Sequence, residues 1–376
     1  MPLQFVVKDI GRIDAIRVDF DNVEKLFVVH SAAAGQNQVK VSYGFDGFSD
    51  PLNDLIVELF WHPGHVESQV LPIQVNDVGD QTVGWIATVE AITSRNHTHF
   101  SSSYFRRAIH AATNWLLNRG IQTKTPEISA EADLTISDFF DPELSVLVLS
   151  KPLLNGLVGE RCIELGPALL KLGFIPYTGF HTKQLNLGAI ANQQLQLAGN
   201  RLRLQCTSKD VKAYAFVDQV FRNLMPYAST SVLKFYFYYQ IIEALLASVF
   251  SHKQSGVISR MVTVKDDPIQ VRPLMDQLRE FNEKKRIVSL FHEFTNVESS
   301  CIDLKAACEA FILAHGSATI ATSTRPNAAE ALYDVRNILF HDLQHAAVGA
   351  LPFVDPVVDQ LAVVIPEMLI NFKNPA

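Results

Sequence analysis

The chain has 376 residues, of which 48% are hydrophobic and 10% aromatic, and it carries a formal net charge of −7 at pH 7. This composition excludes an intrinsically disordered chain and predicts a globular protein that is long enough for two or three domains. The acidic balance argues against a protein that coats nucleic acid, but it leaves room for a local basic groove, because binding follows the distribution of charge more than its total.

The sequence lacks the features of a signal peptide or a transmembrane helix. Its N-terminal residues do not have the basic start and apolar core of a signal peptide. A long apolar run at residues 241–250 is interrupted by Glu243 and is shorter than a membrane span. The four cysteines form no CxxC pair, which predicts reduced thiols. We therefore expect a cytoplasmic protein without a membrane association.

The first part of the chain, up to about residue 100, predicts a β domain. Short runs rich in β-branched and aromatic residues alternate with Gly, Asn, Asp and Pro residues that favour turns. Seven short strands are typical of a sandwich or barrel-like domain. The predicted strands cover residues 5–7, 13–18, 26–29, 39–43, 55–61, 69–75 and 82–89.

The next segment mixes helix and strand patterns. A serine-rich start, a stripe of alanine and leucine, and Gly120 at the end predict a helix over residues 101–120. Residues 121–143 are polar and acidic and contain two prolines, which predicts a linker or long loop. Thr207 or Ser208 is the predicted cap of a later helix. The remaining predicted elements are a strand at 144–149, a helix at 160–172, a strand at 201–206 and the capped helix, which extends to about residue 224.

From residue 229 onward the sequence predicts helices only. A long aromatic-rich helix over 232–250 is followed by shorter helices with short connections. Gly316 marks the end of one helix and Pro326 the start of the next. Five or six helices of this kind make a bundle. The shorter predicted helices cover residues 268–283, 285–296, 301–315, 327–345 and 355–371.

Together these elements predict an α+β protein in two parts. Residues 1–228 form a β-rich region with a mixed α/β middle, and a further boundary is expected near 121–143. Residues 229–376 form an all-α helical bundle.

Polar side chains interrupt the apolar pattern of the helix predicted over 327–345. Arg336, Asn337 and His341 place a permanent cation, an amide and an imidazole within six residues. These groups suit RNA cleavage without a metal. An imidazole can take the proton of a 2′-hydroxyl or give one to the leaving 5′-oxygen, and a guanidinium can stabilise the charged phosphate. An amide can orient the phosphate or the imidazole.

Helical geometry aligns only two of these three side chains. Asn337 and His341 are four residues apart and share a face, whereas Arg336 and His341 lie about 140° apart around a straight helix. A bent helix, the reach of the long arginine or a second subunit must bring them together. Of these we predict the second subunit.

The motif Arg336-Asn337-x-x-x-His341 resembles the R-N-x-x-x-H signature of HEPN domains, and it lies near the end of a helical segment, as in that family. The run Tyr238-Tyr239-Gln240-Ile241-Ile242-Glu243 in the long helix resembles the first helix of such domains. The resemblance covers residues 229–376 and does not extend to the first 228.

This resemblance implies a helical bundle that forms a homodimer and places two copies of the motif in one cleft. It implies a metal-independent endoribonuclease that acts on RNA without a cofactor, of the kind found in toxin–antitoxin, CRISPR-associated and abortive-infection (anti-phage) systems. The β-rich front region would then sense a protein or ligand trigger. The implied catalytic set is Arg336, Asn337 and His341, and the weaker supporting residues are Glu243, Asp342 and His345.

Other interpretations remain open for the same residues. His341 and His345 could bind zinc from one helix face, although no HExxH is present and no third ligand is identified. Arg336 could instead form surface ion pairs with Asp334 or Asp342 and leave His341 solvated. A HEPN-like domain without activity could serve for dimerisation or for binding a nucleotide or partner.

Three further features complete the candidates. Two histidine pairs, His62 with His65 and His97 with His99, could form a metal cluster, but such pairs are more often plain loop and strand residues. The basic run at 284–286 is usually a mixed-charge helix surface, and it would guide an RNA backbone only if it flanked the His341 cleft. The sequence contains no Walker loop, no GxGxxG after a strand and no GxSxG, which excludes the commonest nucleotide-cofactor and hydrolase sites.

Overall fold

The computed structural model of the protein describes residues 3–7, 10–31, 38–43, 52–65, 69–94, 99, 101–119, 121–128, 134–157, 163–184, 201–211, 214–316, 325–341 and 348–374. These residues divide into two compact units. The sheet unit comprises the described residues up to 157, with 172–184 and 201–206, and the helical unit comprises 163–171 and 207–374. Helices and strands are both abundant, so the predicted α+β class is confirmed.

The seven strands predicted in the first part of the chain are all present in the sheet unit. In β4, Val39 and Val41 are buried while Gln38 and Lys40 are exposed, which is the alternation expected of a strand with one face on the core. The strands are β1 (Gln4–Val7), β2 (Gly11–Asp21), β3 (Leu26–Ser31), β4 (Gln38–Ser42), β5 (Leu55–Trp61), β6 (Val70–Val75) and β7 (Thr82–Thr88).

Later parts of the sheet unit add helices and short strands to this set. They are α1 (Val89–Thr93), α2 (Ser103–Arg119), β8 (Glu127–Ile128), α3 (Ile136–Phe139), β9 (Ser145–Ser150), β10 (Ile175–Pro176) and β11 (Leu202–Leu204). Among the described residues the strands form two sheets, ordered β4-β3-β2-β1-β8 and β10-β5-β9-β7-β6-β11. Pairing is antiparallel except for β8 on β1 and β11 on β6.

The core of the sheet unit includes a helix as well as the two sheets. One cluster of buried side chains draws on α2 and on strands of both sheets, and α2 packs against β2 as well as β5, β7 and β9. The expected sandwich or barrel is therefore a two-sheet arrangement with a helix in its core. Representative members of the cluster are Phe27, Val29, Phe105, Ala108, Leu116, Val146 and Val148.

The described residues of the segment 121–143, which are 121–128 and 134–143, pack into the sheet unit. Within this segment β8 adds a parallel strand to β1, and Phe139 and Phe140 are fully buried. The backbone N–H of Val6 donates to the carbonyl of Pro126 at 2.9 Å. A few apolar side chains in an otherwise polar stretch thus anchor its described part to the sheet unit, where the sequence predicts a linker.

The described part of the helical unit contains helices and turns but no strand. Its helices are α4 (Gly166–Lys171), α5 (Tyr214–Gln219), α6 (Ser231–Thr263), α7 (Pro268–Glu280), α8 (Glu283–Ser289), α9 (Ile302–His315), α10 (Ala328–His341) and α11 (Val354–Asn371). The unit takes in α4 and the segment 207–228, which the sequence assigned to the first region.

The two proposed caps, Thr207 and Ser208, do not begin a helix. The Thr207 hydroxyl donates to the carbonyl of Glu164 at 2.8 Å, and the Ser208 hydroxyl accepts from the backbone N–H of Asp210 at 3.2 Å. The described part of that helix is α5, which begins at Tyr214. Gly316 does end α9 as predicted, in the left-handed conformation at φ 76°.

The longest helix, α6, begins as predicted but extends to Thr263. The Thr230 hydroxyl accepts a hydrogen bond from the backbone N–H of Leu233 at 3.2 Å and caps the helix. α6 buries aromatic and aliphatic side chains against α11, α7 and α8. Among the described helices it is the one long and apolar enough to span a membrane, and 44% of its most apolar window is buried.

Candidate active site

The helix α10 carries the three motif residues on a regular α-helical backbone. Its buried face includes Leu332, Val335 and Leu339, as the apolar spacing predicts. His341 is the last described residue of the helix and is exposed. Among the described residues the imidazole is therefore accessible to solvent.

The reach of the arginine side chain brings Arg336 and His341 together within one chain. Arg336 Nη1 lies 3.1 Å from Asn337 Oδ1 and 3.1 Å from His341 Nε2. The guanidinium thus spans the angular separation that the helix imposes. Of the three routes considered from the sequence, the reach of the long arginine makes this contact, so the predicted second subunit is not needed for it.

A hydrogen bond across this contact has one direction. A guanidinium can only donate hydrogen bonds, so Arg336 Nη1 is the donor and His341 Nε2 is the acceptor. The tautomer that accepts at Nε2 carries its ring proton on Nδ1.

Two carboxylates face the other side of the same guanidinium. Arg336 Nη2 lies 3.6 Å from Glu243 Oε1 on α6 and 3.6 Å from Glu283 Oε1 on α8. Gln240 Nε2 donates to Glu243 Oε2 at 2.7 Å and so fixes that carboxylate. Three helices of the unit converge on Arg336.

Aromatic rings enclose the guanidinium and restrict its motion. Its carbon lies 5.7 Å from the ring centre of Tyr239 and 5.4 Å from that of Phe340. The side chain of Arg336 is only 17% exposed to solvent, and its Nε has no hydrogen-bond partner among the described residues. Burial, and then the charge of Glu283, raises the pKa of Tyr239, whose hydroxyl donates to Glu283 at 3.4 Å.

The structure brings together Arg336, Asn337, His341 and Glu243 from the predicted set. Asp342 and His345 lie outside the described residues, and with them the zinc site that His345 would share with His341. Glu283 was missed by the sequence. Acidic residues are common in the first turn of a helix because they interact favourably with the helix dipole. The position of Glu283 in the sequence therefore does not indicate its contact with Arg336.

Arg336 does not form the surface pair with Asp334 that the sequence left open. Asp334 instead accepts from Arg325 Nε at 2.6 Å, where Arg325 keeps 6% of its side-chain exposure. The ion-pair partners of Arg336 come from α6 and α8, so they are distant in sequence. The other proposed surface partner, Asp342, lies outside the described residues.

The histidine pair of the sheet unit forms hydrogen bonds within that unit. His62 Nε2 lies 2.9 Å from the carbonyl of Leu172, and His62 Nδ1 accepts from the backbone N–H of Gly64 at 2.9 Å. His65 Nδ1 lies 2.6 Å from the Ser145 hydroxyl. The part of the chain that the structure describes, which omits His97, holds no group of three or more His, Cys, Asp or Glu side chains able to bind a metal ion.

Two buried imidazoles of the sheet unit predict that acid destabilises it. Burial lowers the pKa of His65 to about 3 and that of His110 to about 4. An unfolded histidine titrates near pH 6.5, so the unfolded chain binds protons that the folded chain excludes once the pH falls below about 7. The free energy of unfolding is therefore highest above that pH and decreases toward about pH 4.

The substitution His110→Phe tests this pH dependence. It keeps an aromatic ring beside Phe27 and Tyr43 but removes the titrating group. We expect it to reduce the acid-induced loss of unfolding free energy by about 2 kcal/mol between about pH 7 and pH 4. Urea unfolding at both pH values measures this, with His30→Gln on β3 as control. A loss as large in His110→Phe as in the wild type contradicts the prediction.

No protein-family model matches the chain, and comparison with curated proteins and with solved structures finds no similar protein. The resemblance to HEPN domains therefore rests on the residues of α6 and α10 themselves. Chemically, the cluster offers a fixed cation, an imidazole and an amide beside both.

Proposed function

We propose that the protein is a metal-independent endoribonuclease of the HEPN type, acting as a defence or toxin effector. The observation that carries the proposal is the 3.1 Å contact between Arg336 Nη1 and His341 Nε2. It joins a phosphate-binding group to a proton-transfer group, and the latter belongs to an exposed residue. Surface arginines and histidines of a purely structural helix need no such contact.

The cleavage step follows from the partners of these two groups. The phosphate at the scissile bond draws the guanidinium of Arg336 away from His341, because an anion is a stronger acceptor than a neutral imidazole. This movement uncovers Nε2, which takes the proton of the 2′-hydroxyl as the 2′-oxygen attacks phosphorus. The bond from phosphorus to the 5′-oxygen breaks and leaves a 2′,3′-cyclic phosphate, while Arg336 stabilises the charge on the phosphoryl oxygens. The leaving 5′-oxygen takes a proton from water and becomes a hydroxyl, and His341 returns the proton of the 2′-hydroxyl to solvent.

Asn337 and the carboxylates position the cation in this proposal. Asn337 Oδ1 accepts from the same guanidinium nitrogen that reaches His341. Glu243 and Glu283 lie on its other nitrogen and keep the guanidinium at the cluster when the phosphate leaves. The substrate is RNA, and the site requires no metal or cofactor.

The further parts of the proposal concern assembly and location. The helical unit forms a homodimer in the cytoplasm, and the β-rich region within 1–228 senses a protein or ligand trigger. The complete Arg336–His341 pair within one chain gives each copy its own cation and imidazole.

A cleavage assay in EDTA tests the proposed function. The full-length protein is incubated with end-labelled single-stranded RNA and with the same sequence as 2′-deoxy oligonucleotide. We expect cleavage of the RNA alone, with cyclic phosphate and 5′-hydroxyl ends, because the 2′-oxygen is the nucleophile. Equal cleavage of both substrates, or cleavage abolished by EDTA, contradicts the proposal, and the latter outcome favours a metal site.

A second candidate is a non-catalytic module for dimerisation or for binding a nucleotide or partner. The observation in its favour is that two carboxylates already neutralise the guanidinium of Arg336, as in a structural ion-pair network. Absence of RNA cleavage by the wild-type protein, together with a stable dimer in solution, supports this candidate.

A further inference from the structure

A groove of about 690 Å³ lies in the helical unit between α6, α7 and α8. Its volume is in the range of sites that bind small molecules or single nucleotides. α7, which forms one wall, has no buried residue. The side chains on this wall are therefore accessible to solvent.

The lining of the groove is basic in a chain that is acidic overall. Four cationic side chains face two carboxylates there, whereas the whole chain has a net charge of −7. Such a local excess attracts anions. The cations are Lys253, Arg260, Lys284 and Lys285, and the carboxylates are Glu293 and Glu330.

Two of these cations form ion pairs with the two carboxylates of the lining, and the other two are candidates for binding a ligand. Lys284 lies 2.6 Å from Glu330, and Lys253 pairs with Glu293. Arg260 donates to neutral acceptors among the described residues, the side chain of Gln277 at 3.1 Å and its own helix backbone.

Lys285, the other available cation, pairs with Glu280 at 3.1 Å. Both side chains of this pair are more than half exposed, at 54% and 70%, so the ion pair contributes little and gives way easily to a phosphate. The positive charge that an anionic ligand meets comes from Arg260 and Lys285.

The floor of the groove is apolar. Val257 is buried, and the side chains of Leu278, Phe281 and Val288 are half-buried beside it. A flat aromatic ring can stack on such a surface, and base stacking on aromatic side chains is independent of sequence. Apolar floor and cationic rim together match a nucleotide, which combines an aromatic base with a phosphate.

The groove shares three helices, α6, α8 and α10, with the Arg336 cluster. On α8, Glu283 contacts Arg336 while the next residue, Lys284, lines the groove. On α10, Glu330 lines the groove and Arg336 follows six residues later, which is about 9 Å along the helix axis. The groove and the cluster are therefore neighbours on α8 and α10.

We propose that this groove binds the single-stranded RNA beside the cleavage site, with a base on the Phe281 surface and phosphates on Arg260 and Lys285. The inference rests on the proposed function for its substrate. It makes the run at 284–286 part of a substrate groove through its two lysines. Arg286 is not available, because it lies over the ring of Phe250 at 4.4 Å and donates to the carbonyl of Phe281.

RNA binding by charge-neutralised variants tests the groove. The background is the full-length His341→Ala protein, in which the RNA stays intact, and the probe is a short fluorescein-labelled single-stranded RNA followed by anisotropy. Adding Arg260→Ala and Lys285→Ala is expected to weaken binding about tenfold. It should also reduce the salt dependence of log Kd by about 1.4, as expected for two lost phosphate contacts on a single strand.

The matched control is Arg279→Ala on α7. Arg279 is 75% exposed and is not part of the groove lining, so its removal is expected to leave the affinity nearly unchanged. An equal loss of affinity in the control and the double variant, or no loss in either, overturns the proposal.

Adenosine 5′-monophosphate distinguishes the two sources of a nucleotide. If the double variant loses binding of this mononucleotide but keeps its affinity for RNA, the groove is a site for a free nucleotide and the RNA proposal is overturned. The cleavage assay is separate. If RNA binds in the groove but the wild type does not cleave it, the groove proposal stands and the proposed ribonuclease activity is overturned. If the wild type cleaves RNA but the double variant binds RNA as tightly as its parent, the activity stands and the groove proposal is overturned.

Discussion

The substitution His341→Ala is expected to lower the rate of RNA cleavage at least about a thousandfold, because it removes the group that transfers the proton of the 2′-hydroxyl. The fold should tolerate the change. His341 is the last residue of α10 and is exposed, so its truncation leaves no cavity in the core. Loss of activity without loss of stability is the signature expected of a catalytic residue.

Single-turnover cleavage of labelled RNA in EDTA measures this effect, with thermal unfolding recorded on the same samples. The matched control is His292→Ala. His292 is a half-exposed histidine of the same unit and lies 3.9 Å from Glu298, away from the Arg336 cluster. A cleavage rate in His341→Ala within a few fold of that control removes His341 from the mechanism.

The fold could be predicted where one periodicity dominates a segment. β4 alternates between buried and exposed residues. Gly316 predicts the end of α9, and Pro326 predicts the start of α10. No single periodicity dominates residues 121–143, so their place in the fold could not be predicted. Their pairing with β1 depends on contacts far away in sequence, and no local pattern encodes a two-residue parallel strand.

The site could be predicted only as far as it lies on one helix. Arg336, Asn337 and His341 were found from their chemistry and spacing. Which of the three routes joins Arg336 to His341 could not be predicted, because helix geometry fixes the direction of Cβ and not the position of a guanidinium five bonds further out. Glu283 lies on another helix and has an ordinary explanation as a helix-start residue.

Arg336→Ala is expected to abolish cleavage to a similar degree as loss of His341, since the guanidinium stabilises the charge that develops on the phosphate. Arg336→Lys should remain strongly impaired. A lysine keeps the charge but lacks the planar fork that reaches Asn337 and His341 on one side and Glu243 and Glu283 on the other. Wild-type activity in Arg336→Lys shows that charge alone suffices and contradicts the role given to this geometry.

Mixing the two inactive variants decides whether the site belongs to one chain. Arg336 and His341 contact each other within a chain, so a heterodimer of an Arg336→Ala subunit and a His341→Ala subunit contains no complete pair. We expect such heterodimers, isolated through two different affinity tags, to stay inactive. If the site instead took the arginine from one subunit and the imidazole from the other, each heterodimer would hold one complete site and about half the wild-type activity. Recovery of activity to that level would show that the catalytic arginine and histidine come from different subunits. Inactive heterodimers would show that both come from α10 of one chain.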